Sequence, residues 1–194
     1  MSDELLNIFN DGLELIGSAP RSEAHRLGLL HDVVHCWVAD PDGRRLFFQR
    51  RAMSKDTYPG YYDLAVGGHI CAGEAPLEAV LREMREEIGL SPAPEALIFA
   101  GSERKPEYYC GHVDREIARI FLLMDSSPVF RPGNEVDDMV WIYTDDYVRR
   151  FELPALTAHS LFAGGEVAIS PGMWAGPPSH EFEDFILPFL GSRK

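Results

Sequence analysis

The sequence predicts an α/β chain of the α+β kind, in which a mixed β-sheet is sandwiched between helices. Three observations lead there. Ala75–Ile88 carries apolar residues three and four apart, the spacing of one helix face. On both sides of it, short runs with strand patterning are separated by glycine, proline, asparagine and aspartate. A length of 194 residues with 45% hydrophobic composition is sufficient for one core. Residues 1–194 therefore read as a single domain, with an N-terminal hairpin extension over about residues 1–28.

Leu5–Phe9 and Leu13–Ile16 flank Asn10-Asp11-Gly12, residues that suit a tight reversal, and are expected to form a hairpin. Pro20–Leu27 follows as a short helix stopped by Gly28. Val33–Val38 reads as a core strand, Asp40-Pro41-Asp42-Gly43 as a turn, Arg45–Gln49 as the returning strand and Asp63–Val66 as a third. In the central helix Pro76 suits the first turn, and Gly89 suits the left-handed position that ends it. Leu97–Gly101, Glu116–Met124 and Met139–Tyr143 are further strands, set apart by Pro106, Pro128, Pro132 and Gly133. Asp145–Phe151 and Pro154–Ala163 read as helices and Gly164–Pro178 as a loop. Ser179–Leu190 is a terminal helix with Phe182, Phe185, Ile186 and Phe189 on one side. Those side chains are expected to pack internally or across a homodimer.

Charge and cysteine usage narrow the functional classes. A formal charge of -13, with no Lys/Arg block, repels a phosphate polymer, so nucleic acid is not an expected partner. A small anionic substrate requires local arginines, lysines or a bound cation. Cys36, Cys71 and Cys110 are odd in number and lack a CxxC spacing, which points away from a disulfide framework or zinc knuckle and toward a reducing cytoplasm. All three cysteines are expected to be packed rather than nucleophilic. Met1–Asn7 has two acids and no basic region, and no apolar run is long enough for a bilayer, so a cytoplasmic chain without membrane attachment is expected.

The chemistry concentrates on the central helix. Leu77, Val80, Leu81, Met84 and Ile88 form the stripe expected to face the core. Glu83, Glu86 and Glu87 fall on the other side at i, i+3 and i+4, where like charges disfavour a helix unless a cation lies among them. Hard divalent cations prefer such carboxylate oxygens. The positions Gly68, Glu74, Arg82-Glu83, Glu86-Glu87, Gly89 and Leu90 fill the pattern G-x5-E-x7-R-E-U-x-E-E-x-G-U, where U is apolar. With this box over residues 68–90, the chain resembles the Nudix hydrolases.

That resemblance implies the Nudix fold and metal-dependent cleavage of a phosphoanhydride bond in a small diphosphate-containing substrate by water attack on phosphorus. By carry-over, Glu83, Glu86 and Glu87 are the catalytic acids and metal ligands, joined by the Gly67 carbonyl, with Mg2+ or alternatively Mn2+ as the ion. Gly68, Glu74, Arg82 and Gly89 are implied to be structural, Arg82 by ion pairing to the glutamates. The general base is open among the acids.

Outside the box, Ala24-His25, Gly28–His31, Gln49-Arg50-Arg51, Ser54-Lys55, Tyr58-Pro59-Gly60 and Gly68-His69 resemble the isopentenyl-diphosphate isomerase-like branch. Arg51 and Lys55 then correspond to diphosphate contacts. Isomerases of this branch place a cysteine where this chain has Gly67, and their box is typically degenerate, so both departures favour hydrolysis. A catalytically silent Nudix domain is the third reading, disfavoured by the complete glutamate set. His25, His31 and His69, with Asp114 and Glu116, resemble a second metal site of the isomerases, with one residue fewer between His25 and His31; whether they bind metal is left open. His35, in an apolar strand, reads as a packed and hydrogen-bonded core histidine.

Overall fold

Ten consecutive residues, Leu30–Ala39, form the strand around which the others assemble. The run is rich in Val, Trp and Cys, and all but one of its residues are buried. The computed structural model describes residues 3–109, 112–176 and 179–191, and all of their side chains except those of 106–109 and 112. Cys110 and the side chain of His112 fall outside the described residues.

In chain order the strands are β1 (Leu5–Phe9), β2 (Leu15–Pro20), β3 (Leu30–Ala39), β4 (Arg45–Arg51), β5 (Tyr62–Leu64), β6 (Val66–His69), β7 (Leu97–Tyr109), β8 (His112–Met124), β9 (Val136–Tyr143), β10 (Leu156–Ser160) and β11 (Glu166–Ile169). The helices are α1 (Arg21–Leu27), α2 (Pro76–Glu83), α3 (Thr144–Val148) and α4 (Leu187–Gly191). All eleven strands belong to one sheet, whose main path runs β11-β10-β9-β4-β3-β1-β2. Strand β3 pairs antiparallel with β6 and parallel with β8, and β8 carries β7 on its far side. The sheet is therefore mixed, as the sequence predicts. Among the described residues no helix is long and apolar enough to cross a membrane.

Alternation along β3 divides the core. Val34, Cys36 and Val38 face α2 and pack with Val80, Met84 and Ile88. Val33, Trp37 and Ala39 face the opposite side, with Phe48, Tyr147, Phe182 and Ile186. The terminal phenylalanines thus pack inward: Phe182 is fully buried, and Phe185 and Phe189 lie against the same cluster. That covers the apolar side that had made a homodimer an expectation.

Three local expectations are corrected. Pro154–Ala163 is not a helix; Leu156 and Ala158 alternate into the core on β10 while Thr157 faces out. The segment Gly164–Pro178 is not all loop, because Gly164 and Gly165, both at positive φ, turn the chain into β11. Residues 161–165 join β10 to β11, with the Ser160 N–H donating to the Gly165 carbonyl, and the Gly-Gly pair that closes this loop was the available signal. Third, the buried arc of the central helix is rotated from the expected stripe. Leu77 is 38% exposed, whereas Ala79 and Val80, then Glu83 and Met84, then Glu87 and Ile88 are buried. The helix also widens into a π-helical turn over Met84–Ile88 before Gly89, at φ 70, ends it.

The packing separates core from surface quantitatively. Phe182→Ala is expected to cost about 3–5 kcal/mol in chemical denaturation, while Leu77→Ala is expected to stay within about 0.5 kcal/mol.

Candidate functional site

At Gly68, β6 closely approaches the side chain of Glu83 on α2. A Cβ built there falls 2.2 Å from the carboxyl carbon of Glu83, so any side chain at this position displaces that acid. The backbone of β6 meets the helix on the same flank, where the Gly67 N–H donates to Glu87 Oε2 at 3.2 Å. Gln49, from β4, donates its amide to the same oxygen at 3.1 Å. Sequence reading named Gln49 only within the branch segment Gln49-Arg50-Arg51 and gave it no role; its i, i+2 relation to Phe47 on the α2 face was the available signal for a place beside Glu87.

Arg82 organises the rest of the box. Its guanidinium donates to both Glu74 oxygens at 2.9 Å, to the His69 carbonyl at 3.0 Å and to Glu83 Oε1 at 2.6 Å. Glu86 Oε2 lies 3.6 Å from it. Glu74 also accepts from the Cys71 N–H at 3.1 Å, closing the loop before the helix. At the helix start Glu78 accepts from the Ala75 N–H at 3.0 Å, satisfying one of the unpaired donors there.

The three glutamates are not equivalent. Glu83 and Glu87 are buried, and Glu86 is 56% exposed. Burial pushes the Glu83 carboxyl up to about 7 despite the opposing pull of Arg82, and pushes Glu87 up to about 8, with Glu83 adding to the rise. Two buried carboxylates with one guanidinium among them form an oxygen-only donor set short of positive charge, which fits a hard divalent cation.

One cavity of about 1360 Å³ is lined by these acids and by Arg51 and Lys55. Arg51 donates to Asp63 at 3.0 Å and to the Thr57 hydroxyl at 3.1 Å, and Lys55 is paired with Glu135. Both cations thus line the cavity while already engaged by carboxylates.

The structure also draws His25, His31 and His69 together. The Nε2 atoms of His25 and His69 are 3.0 Å apart, and the three ring centroids are separated by 5.1 to 5.3 Å. Asp114 Oδ1 lies 3.5 Å from His31 Nε2, and neither atom has a hydrogen-bond partner among the described residues. Burial lowers the pKa of both His25 and His69, which holds their rings neutral, the form that ligates metals. Among the described residues, the trios with ligand atoms within 4.8 Å of one another are this one and His31, Asp114 and Glu116. Between His25 and His31, Gly28 at φ 61 ends α1 and turns the chain into β3. Cys36 is buried in the core with its thiol pushed up to about 12 by desolvation, and Cys71 is half-buried.

The NUDIX domain family model matches residues 29–161. This chain belongs to the Nudix family. It is 36% identical over 155 residues to an uncharacterized Nudix hydrolase of Clostridium acetobutylicum, covering 77% of this chain and 74% of that one. It is 33% identical over 140 residues to an isopentenyl-diphosphate Delta-isomerase of Clavibacter sepedonicus, covering 72% and 73%. The crystal structure of DR0079 from Deinococcus radiodurans superposes with a TM-score of 0.57 at 26% identity, covering 77% of this chain and 89% of that one. The Nudix fold and the isomerase-like branch agree with these relatives, and the chain is an enzyme of the class that hydrolyses phosphoanhydrides.

Raised carboxyl pKa values set a pH dependence. Glu83 and Glu87 favour the fold when protonated, so their contribution is fully present below the unfolded glutamate pKa and is lost as pH rises through about 7 and 8. In chelator, the melting temperature is expected to fall between about pH 5 and pH 8.5, and the fall is expected to shrink in Glu87→Gln. A pH dependence in chelator that is the same in Glu87→Gln as in the native protein contradicts the assignment, because the lowered His25 and His69 act in the opposite sense in both proteins.

Proposed function

We propose that this Nudix enzyme is a divalent-metal-dependent pyrophosphohydrolase acting on a small diphosphate compound, a nucleoside diphosphate derivative or similar, by water attack on phosphorus. The observation that carries the reading is the pair of buried, charge-deficient carboxylates, Glu83 and Glu87, opening on a cavity shared with Arg51 and Lys55.

Glu83, Glu86 and Glu87, with the Gly67 carbonyl, are the residues that would hold Mg2+ or Mn2+. When bound, such an ion neutralises phosphate oxygens and stabilises the charge gained by the leaving group. Arg51 and Lys55 meet the substrate phosphates, exchanging Asp63 and Glu135 for phosphate oxygens. One of the cavity carboxylates accepts the proton of the attacking water. Arg82 fixes Glu83 and Glu74 relative to β6 and is a positioning residue. Gly68 keeps room for Glu83.

Convergence of His25, His31 and His69 on Asp114 and Glu116 favours a second cation site in the same cavity. It is tested by metal content after dialysis, where His31→Ala and His69→Ala are each expected to lower the bound metal by about one equivalent per chain. Unchanged content in both removes the site.

Isomerase activity is the second reading, favoured by the identity to the Clavibacter enzyme. Gly67 stands where those isomerases carry a cysteine, and without a thiol there the proton-transfer chemistry lacks a participant.

Phosphate release with magnesium over a panel of diphosphates tests the main reading. Glu83→Gln and Glu87→Gln are expected to lower turnover by on the order of 100-fold or more while the proteins still melt cooperatively. Full turnover in both variants refutes the metal assignment. Conversion of isopentenyl diphosphate to its allylic isomer without phosphate release moves the protein to the isomerases.

A further inference from the structure

The cations that line the cavity differ in what holds them. Lys105 is neutralised by Glu181, an acid only 2% exposed. Glu181 Oε2 also lies 2.8 Å from His35 Nδ1, and its other oxygen accepts from the Trp37 indole N–H at 2.6 Å, which closes a polar floor. Arg150 gives two bonds to Glu183, and Arg82 is divided between Glu74 and Glu83. Arg51 is held mainly by acceptors that carry no charge. Its Nε donates to the Thr57 carbonyl at 3.2 Å and its Nη2 to the Thr57 hydroxyl at 3.1 Å, while Nη1 donates to Asp63 at 3.0 Å.

Nε and Nη2 form one edge of the planar guanidinium, so a single residue, Thr57, grips that edge with two oxygens. A guanidinium has five N–H groups. Three are engaged, and among the described residues one on each terminal nitrogen is without a partner. A fork of two N–H groups matches two phosphate oxygens, provided that its plane is held. Thr57 holds the plane without cancelling the charge, which a carboxylate in its place would do. Asp63 does compete, and its departure from Nη1 opens the terminal edge.

The local backbone explains how Thr57 reaches this position. The register of β4 against β9 shifts between Arg50 and Arg51, an irregularity of the kind that re-aims a side chain. The Arg51 N–H donates to the Tyr61 carbonyl at 2.8 Å and its carbonyl accepts from the Gly60 N–H at 3.1 Å, so residues 52–59 form a loop closed at its root. Within that loop Tyr58 has φ 48, a left-handed conformation uncommon for any residue but glycine. The reversal directly after Thr57 brings both of its oxygens back onto Arg51. The Tyr58 and Tyr61 rings, 5.6 Å apart and edge to face, brace the turn.

We propose that Thr57 is a positioning residue for the substrate diphosphate, presenting the terminal N–H pair of Arg51 to two phosphate oxygens while Asp63 opposes their capture. The inference rests on the diphosphatase reading above and deepens it. Opposite effects follow for the two neighbours of Arg51. Loss of the Thr57 hydroxyl leaves the guanidinium free to turn and weakens phosphate binding. Neutralising Asp63 removes a competing charge while Thr57 still holds the plane, and strengthens it.

The test is titration calorimetry with magnesium and methylenediphosphonate, a hydrolysis-resistant diphosphate. Thr57→Val, close to threonine in volume, is expected to bind the probe about three- to ten-fold more weakly than the native protein. Thr57→Ser, which keeps the hydroxyl, is expected to stay within about two-fold of native. Asp63→Asn is expected to bind about two- to five-fold more tightly. In Arg51→Ala, where magnesium and Lys55 still hold the probe, adding Thr57→Val is expected to change nothing further. A residue that merely stiffened the loop would act with or without the Arg51 side chain, so a Thr57→Val loss that persists in Arg51→Ala overturns the proposal. Equal losses in Thr57→Val and Thr57→Ser overturn it, as does weaker binding in Asp63→Asn. No binding by the native protein means that the diphosphatase reading has failed, and the Thr57 assignment with it; native binding that Thr57→Val leaves unchanged sinks the assignment alone.

Discussion

Everything at this site follows from placing two carboxylates, four residues apart on one helix, against the backbone of a strand. Buried acids are costly unless they are bonded or paired. The chain supplies the Gly67 N–H, the Gln49 amide and Arg82, and it removes the side chain at 68 so that Glu83 has room. These contacts satisfy geometry but leave the charge uncompensated, as the raised Glu83 and Glu87 pKa values register. Such a site is prepared to gain positive charge, and the rest of the cavity is arranged around that deficit.

The sheet explains how separate chemistries share one cavity. Residues of β3 alternate, so the α2 face carries an apolar core while the opposite face carries His31, His35 and Trp37. Strand β6 is the partition, sending position 68 to the helix and positions 67 and 69 to the histidine face. The glycine at 67 makes that partition thin, and the cavity wraps around it.

Legibility in the sequence tracked how local the cause was. The box could be read because Glu74, Arg82, Glu83 and Glu87 lie within one loop and one helix, where spacing fixes neighbourhood. Strands β1, β3, β4 and β8 were readable from patterning and turns, and α1 from its glycine stop. The stripe on α2 was misphased because the period alone does not say that Glu83 and Glu87 share the buried arc; that depends on how the helix lies on β6. Strand β10 was mistaken for a helix because five residues hold too few periods to separate 2 from 3.6, and its buried pair, Leu156 and Ala158, is defined by contact with distant elements. The histidine trio was visible as a resemblance, but its convergence comes from α1, β3 and β6 together. The partnership of His35 with Glu181 joins residues 146 positions apart, and no periodicity reports it.

That last pairing also dictates an order of assembly. Strand β3 completes its parallel pairing only with β8, about 85 residues later, and Glu181 reaches His35 from near the C-terminus. During synthesis on the ribosome, the carboxylate helix can therefore dock on its strand well before the floor of the cavity exists. The acid cluster on the helix and the polar floor around His35 are completed at different moments, the second only once the segment carrying Glu181 has emerged.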